Sequence, residues 1–408
     1  ATGGIGMISS RLTLEGPIQK DKTSYLIAGR RFYADLFLPL SSNEDIRNNK
    51  VHFYDLNMKV NHIFNDKNRF FLSAYTGRDV FTNDFAGMNY GNKTITSRWN
   101  HLFSQKVFSN FSFIYSVYDY ELYTPDNQPN GFKWDSHLND LSFKADFNVY
   151  ANPLTTYKFG LISTYHKLSP GNARGTGSET IFTEFKIPEN FALEHGAYFM
   201  AEEKVGYRLS LKYGLRLSVF QNLGEATVYN YDEDYNSVDS TVYSSGNIFN
   251  TYAGLEPRLG FTYTFSDRVS VKGAYSRTRQ YMQLAQNSTA GTPLDIWFPA
   301  SPNIKPQVSD QVSLGYFRNF KNNKIETSVE AYYKNMKNTI DFKDKANLLL
   351  NKKLEGEVRT GDSYSYGLEF LVKITEKKFN GWISYTLSKT ERTIEEINEG
   401  DPYFAPYD

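Results

Sequence analysis

Six histidines, His52, His62, His101, His137, His166 and His195, are the first residues to test for metal or acid–base chemistry. No HExxH pair or other ligand spacing joins them, and single histidines scattered over strands read as wall or rim residues. The chain has no cysteine, which removes thiol catalysis, thiolate metal sites and disulfides together. Close-set charges such as Lys144 and Asp146, Lys212 and Arg216, or Glu256 and Arg258 resemble acid–base pairs. They recur on the polar row of one strand after another, together with Asp55, Lys59, Lys272, Glu330 and Glu369, so an electrostatic lining is the better reading. The acidic run NYDEDYNSVD (230–239) lacks the spacing and glycine of an EF-hand loop and reads as solvated. The expectation is a chain with no catalytic residue, no resident metal and no cofactor: not an enzyme.

Lys+Arg and Asp+Glu are equal at 45 each, so nothing points to a nucleic-acid surface. Tyr and Phe number 31 each, and aromatic residues make 16% of the chain, which suits positions half apolar and half wet. In RLSLKYGLRLSV (208–219), Leu209, Leu211, Tyr213, Leu215, Leu217 and Val219 alternate with Ser210, Lys212, Gly214, Arg216 and Ser218. This is the period of a strand with one apolar and one polar face. The same alternation predicts about sixteen strands: 4–15, 23–38, 51–63, 69–79, 94–104, 109–123, 136–150, 155–168, 192–204, 207–221, 251–265, 268–283, 309–320, 324–339, 363–375 and 380–392.

Connections after odd-numbered strands are short and rich in turn residues, as in NDKN (65–68), ANPL (151–154) and KNNK (321–324). Those after even-numbered strands are long: 39–50, 80–93, 169–191, 222–250, 284–308 and 340–362. One end of tight turns and one of large loops favours an antiparallel up-and-down transmembrane β-barrel, all-β, with the Leu rows against outer-membrane lipid. Two alternatives compete: a passive sixteen-stranded porin, and a soluble carbohydrate-binding or carbohydrate-degrading β-protein whose Leu rows would form a core. No apolar run is long enough for a membrane-crossing helix, and ATGGIGMISS has no charged stretch followed by an apolar one, so no signal peptide is expected there.

GGIGMISSRLTLEGPI (3–18) with YLIAGRRFYADLFL (25–38) resembles the TonB-dependent outer-membrane receptors of Bacteroidota-type bacteria. LEPRLGFTYTFSDRVSVKGAYSR (255–277), PLDIWFPASPNIKPQVSDQVSLGY (293–316), YSYGLEFLVK (364–373), GWISYTLSKTER (381–392) and PYFAPYD (402–408) look like the same family. The resemblance implies a 22-stranded barrel, of which residues 1–408 form one partial barrel domain lacking the plug, the TonB-contacting box and the last strands. It also implies a cell outer-membrane location in a Gram-negative bacterium, energy-coupled import of a scarce nutrient, and partnership with the plug and the TonB complex. The ligand would be a small one: ferric siderophore, haem, cobalamin, oligosaccharide or peptide.

In that family the extracellular loops and plug apex capture substrate. The aromatic-rich loops here are DVFTNDFAGMNYG (79–91), NYDEDYNSVDSTVYSSGNIFNTY (230–252) and PLDIWFPASP (293–302). Trp297, Phe298, Tyr281, Tyr231, Tyr235 and Tyr90 are therefore the candidate ligand-stacking residues, and Lys212, Arg216, Glu256, Arg258, Lys144 and Asp146 the expected lumen lining. The competing role for the loop rings, packing loops together or sitting in an interfacial girdle, is preferred.

Overall fold

The computed structural model describes residues 1–125, 129–176, 179–180, 183–285, 296–347, 351–376 and 379–405; the side chains of Ala285, Ile296 and Phe298 lie outside the described set. Its long strands are β1 (Ser9–Gln19), β2 (Thr23–Phe32), β3 (Lys50–Asn65), β4 (Asn68–Thr82), β5 (Gly87–Leu102), β6 (Val107–Tyr123), β7 (Phe132–Asn152), β8 (Thr155–Gly175), β9 (Asn190–Val205), β10 (Leu209–Leu223), β11 (Ile248–Ser266), β12 (Val269–Gln280), β13 (Gln307–Phe320), β14 (Ile325–Phe342), β15 (Val358–Thr375) and β16 (Asn380–Ile394). Each pairs antiparallel with the next in sequence, so the sheet is an unbroken meander. Among the described residues no pairing joins β1 to β16.

Register aligns the apolar rows across strands. Tyr115 faces Leu141, Phe113 faces Phe143, Leu217 faces Leu255 and Leu211 faces Phe261. These rows are not buried: Leu161 is 60% exposed, and Leu259 and Leu314 55% each. The chain exposes 24530 Å², against about 16,000 Å² for a globular monomer of its 46.9 kDa. A soluble sandwich would have buried the Leu rows, so the surface they present calls for an apolar medium.

The strands of 21 residues, β7 and β8, exceed the 9–11 residues or so that a tilted strand needs to cross a bilayer. The surplus lies towards the long connections, and there the buried clusters gather. Ile304, Phe342, Leu354 and Val358 form one, Tyr120, Trp134, Ala173 and Ile187 a second, and Ala192, Phe220, Tyr281 and Ala300 a third.

Three expectations change. The loop expected over 80–93 is a tight turn, because Asn83 Oδ1 accepts the N–H groups of Phe85 and Ala86 at 2.9 and 2.8 Å and closes the chain in four residues. Gly87 and Gly91, read as loop residues, stand inside β5. A Cβ at Gly87 would come within 2.3 Å of the Tyr123 ring, so the glycine admits a close approach rather than a bend. The strand expected to run to 38 ends at Phe32, followed by two 3₁₀ turns, Ala34–Leu36 and Leu38–Leu40, the second holding Pro39. Finally, the long connections 222–250 and 284–308 are not simple loops, since they carry the hairpins Ala226–Tyr231/Ser237–Tyr243 and Met282–Ala285/Ile296–Pro299.

Candidate functional site: the mouth at the long-connection end

The hairpin after β10 presents its tip through a side-chain-closed turn. Asp232 Oδ1 accepts the backbone N–H groups of Asp234 and Asn236 at 3.1 and 2.8 Å, and Tyr235 takes a left-handed conformation, φ 59°. The Tyr235 ring then lies over the guanidinium of Arg359, 3.5 Å from centroid to Cζ. Arg359, only 2% exposed at the start of β15, donates from Nε to Glu396 at 2.6 Å and from Nη1 to the carbonyls of Gly356 and Val358. Its charge is thereby paired, and three of its hydrogen bonds are made within the mouth.

Behind the tip, Asn303 donates from Nδ2 to Glu355 at 2.6 Å and to the Tyr229 carbonyl at 3.0 Å, so the connection 284–308 bridges 222–250 and 340–362. Burial pushes the Glu355 carboxyl above its ordinary range although Asn303 and Ser301 hydrogen-bond to it. Burial, with the Glu355 charge nearby, likewise raises the Tyr231 phenol to about 12, so it stays a neutral donor, here to the Lys353 carbonyl.

These groups enclose a cavity of about 500 Å³ whose wall carries two rings, Tyr231 and Tyr235, and five carboxylates, Asp232, Glu233, Glu355, Glu395 and Glu396. Its size falls in the range of small-ligand sites. The rings supply flat apolar faces and the carboxylates supply acceptors for donors or positive charge. Glu355, Arg359, Glu395, Glu396 and Asn303 were not singled out from sequence. The only signal for the four charged ones is a density of charge in LEGEVRTGD (354–362) and IEEINEG (394–400) at two strand ends; Asn303 gives none.

The remaining candidate rings are placed differently. Trp297, on the strand Ile296–Pro299, lines a neighbouring crevice of about 90 Å³ with Tyr231 and Pro188. The Phe298 side chain lies outside the described residues. Tyr281 is 2% exposed, stacks on Phe220 at 5.0 Å and shares a 2.8 Å hydrogen bond with Ser218 Oγ, so its ring is internal packing. Tyr90 stands on β5, not in a loop, paired with Asp79 and Tyr120 and 40% exposed. It shares no strand pairing with the elements around Tyr231 and Tyr235.

Below the mouth, all six expected lining charges lie on the polar face, and all six are in ion pairs. Arg216 reaches Glu194 at 3.7 Å and Glu256 at 3.8 Å; Arg258 reaches Glu256 at 3.5 Å. Lys212 pairs with Glu202 at 3.1 Å, and Lys144 with Asp146 at 3.0 Å, whose carboxylate also accepts the Tyr198 hydroxyl at 2.5 Å. His166 bonds Asp140 at 2.7 Å. Arg216, Lys212 and His166 tie adjacent strands together, while Lys144–Asp146 and Glu256–Arg258 pair along one strand. Among the described residues no three His, Asp or Glu converge as a metal would require.

None of the curated proteins matches the sequence. Solved structures match its fold. The alcaligin outer-membrane receptor FauA of Bordetella pertussis is 13% identical, with TM-score 0.64, over 98% of this chain and 61% of its own. BauA, the ferric preacinetobactin receptor of Acinetobacter baumannii, is 12% identical, TM-score 0.65, over 97% and 62%. FyuA, the ferric yersiniabactin uptake receptor of Yersinia pestis, is 13% identical, TM-score 0.65, over 94% and 59%. The chain thus spans about three fifths of the structures it matches, and at these identities they show the fold. The narrower Bacteroidota likeness rests on the sequence motifs alone. The pattern of the family described as "TonB dependent receptor-like, beta-barrel" matches residues 18–407, and the chain belongs to that family, whose members sit in the outer membrane of Gram-negative bacteria.

Proposed function

We propose that the full-length protein is a TonB-dependent transporter and that this chain supplies most of its wall. The observation that carries the reading is a continuous exposed apolar face backed by a polar face knit with ion pairs, in a chain of this family. The apolar face meets lipid and the polar face lines the lumen, where it would meet the protein's own plug. The TonB complex would act through that plug. Family membership favours this reading over a passive porin, and the exposed Leu rows oppose a soluble carbohydrate-binding protein.

The ligand is a small nutrient received at the mouth cavity. Tyr231 and Tyr235 would stack on it, and the five carboxylates favour a ligand that carries hydrogen-bond donors or positive charge there. The neighbours named for ferric siderophores support an iron complex as the first class to try.

Fluorescence titration of the purified full-length protein with a ferric hydroxamate, a ferric catecholate, haemin and cyanocobalamin tests the assignment. One probe should bind saturably, and Tyr235→Ala should weaken it by about tenfold, or 1.4 kcal/mol, while Tyr90→Ala leaves it unchanged. Equal effects of the two substitutions would remove the mouth cavity from the account.

A further inference from the structure

We infer that the outer wall carries a docking groove for one acyl chain of a net-anionic, phosphate-bearing membrane lipid. The inference rests on the apolar rows facing lipid and not on the transport reading. The groove, about 600 Å³, runs across β10 to β13 on the apolar face. At one level register sets Leu211, Phe261, Gly273 and Leu314 side by side; at the next it sets Tyr213, Leu259, Tyr275 and Val312.

Gly273 makes the groove. It is the one position in these two levels without a side chain, and the Phe261 ring lies down across it: a Cβ at Gly273 would fall 2.3 Å from Phe261 Cε1. The result is a trough between the taller rows of Leu259 and Val312, each 55% exposed. Acyl chains are the medium at this depth, and a trough in an otherwise convex wall of side chains gives one of them contact on three sides.

The end of the groove names the headgroup. One step above Tyr275 and Val312, towards the long connections, are Arg277 and Asp310. Arg277 pairs with Asp310 through Nε at 2.8 Å and Nη2 at 2.9 Å, and Tyr275 donates its hydroxyl to Asp310 at 2.7 Å. Lys337 is paired to Val308 in the next step up, is exposed, and acts electrostatically on Asp310. Two cations against one carboxylate leave a positive excess where a chain in the trough would carry its headgroup. A second copy of the protein or an apolar protein segment would not need that charge.

Delipidated full-length protein titrated with phosphatidylglycerol or phosphatidylethanolamine of equal chain length, and read by native mass spectrometry, tests the inference. Phosphatidylglycerol should be retained in preference. Lys337→Gln, which leaves the Arg277–Asp310 pair in place, should lower its retention by about fivefold, the worth of one surface cation. Val312→Trp, which fills the trough, should lower retention of both lipids, whereas Leu161→Trp, on the same face but away from the trough, should not. Equal retention of the two lipids by the unaltered protein, or retention indifferent to Lys337→Gln, overturns the inference. So does a protein dimer that Val312→Trp dissociates.

Discussion

Tyr235 and Arg359 meet face to face across the mouth, ring centroid to guanidinium carbon at 3.5 Å, although 123 positions separate them in sequence. The contact pins the tip of the hairpin after β10 onto the start of β15. It fixes the spacing of the cavity's rings and carboxylates.

Removing the ring should free the tip without disturbing the wall. Tyr235→Ala forfeits about 0.5–2 kcal/mol of cation–π attraction. Amide hydrogen exchange should accelerate over 231–237 and stay unchanged in β10 itself; acceleration spreading into β10 would show that the tip supports the sheet.

Tyr281 separates packing from recognition. Tyr281→Phe keeps the stack on Phe220 and loses only the Ser218 hydrogen bond, at about 0.5–1.5 kcal/mol. Tyr281→Ala opens a cavity and should cost about 3–5 kcal/mol in denaturant unfolding. Ligand affinity should follow neither change at low denaturant; a selective loss of affinity in Tyr281→Phe would mean that the hydroxyl reaches the ligand.

Adjacent residues of β10 should behave oppositely. Leu215→Arg places a charge on the lipid face at about 2–4 kcal/mol near the midplane and should block assembly into the outer membrane. Arg216→Leu should assemble, and lose about 1–3 kcal/mol of stability because the nearly buried Glu256 keeps only Arg258. Heat-modifiable migration on gels reads the first effect and urea unfolding the second. Reversal of the ranking would exchange the two faces.

Glu355 gives the mouth a pH dependence of definite sign. Its folded carboxyl is raised above the ordinary 4.5, so the folded mouth holds the proton more tightly than the unfolded one. Stability there should fall as pH rises from that value through the folded one and level off above it. Glu355→Gln should abolish the slope, read as hydrogen exchange over 354–357 against pH. A slope of the opposite sign would mean that Asn303 and Ser301 outweigh burial.

The wall was legible because alternation sustained over ten or more residues fixes both the strand and its faces. β4, β6, β10, β13 and β15 begin or end within a few residues of the expected limits. Lys144, Asp146, Lys212, Arg216, Glu256 and Arg258 all lie on the polar face by the same parity. The mouth was not. Asn83, Gly87 and Gly91 carry the composition of a loop, yet one side-chain-closed turn, the Tyr123 ring against Gly87 and the Gly77 carbonyl against Gly91 go with a hairpin. The Tyr235–Arg359–Glu396 and Tyr229–Asn303–Glu355 links join separate connections. Contacts between connections leave no period in a sequence, and Tyr281 reads as a loop aromatic until Phe220 is seen beneath it.

Uptake of iron-55 presented as ferric hydroxamate or ferric catecholate, by cells carrying the full-length protein as their sole receptor for it, tests the account most directly. Accumulation should require TonB and a proton gradient, and should fall in Tyr235→Ala cells although surface protein is unchanged. Accumulation at the same rate without TonB would contradict it and return the barrel to a passive channel.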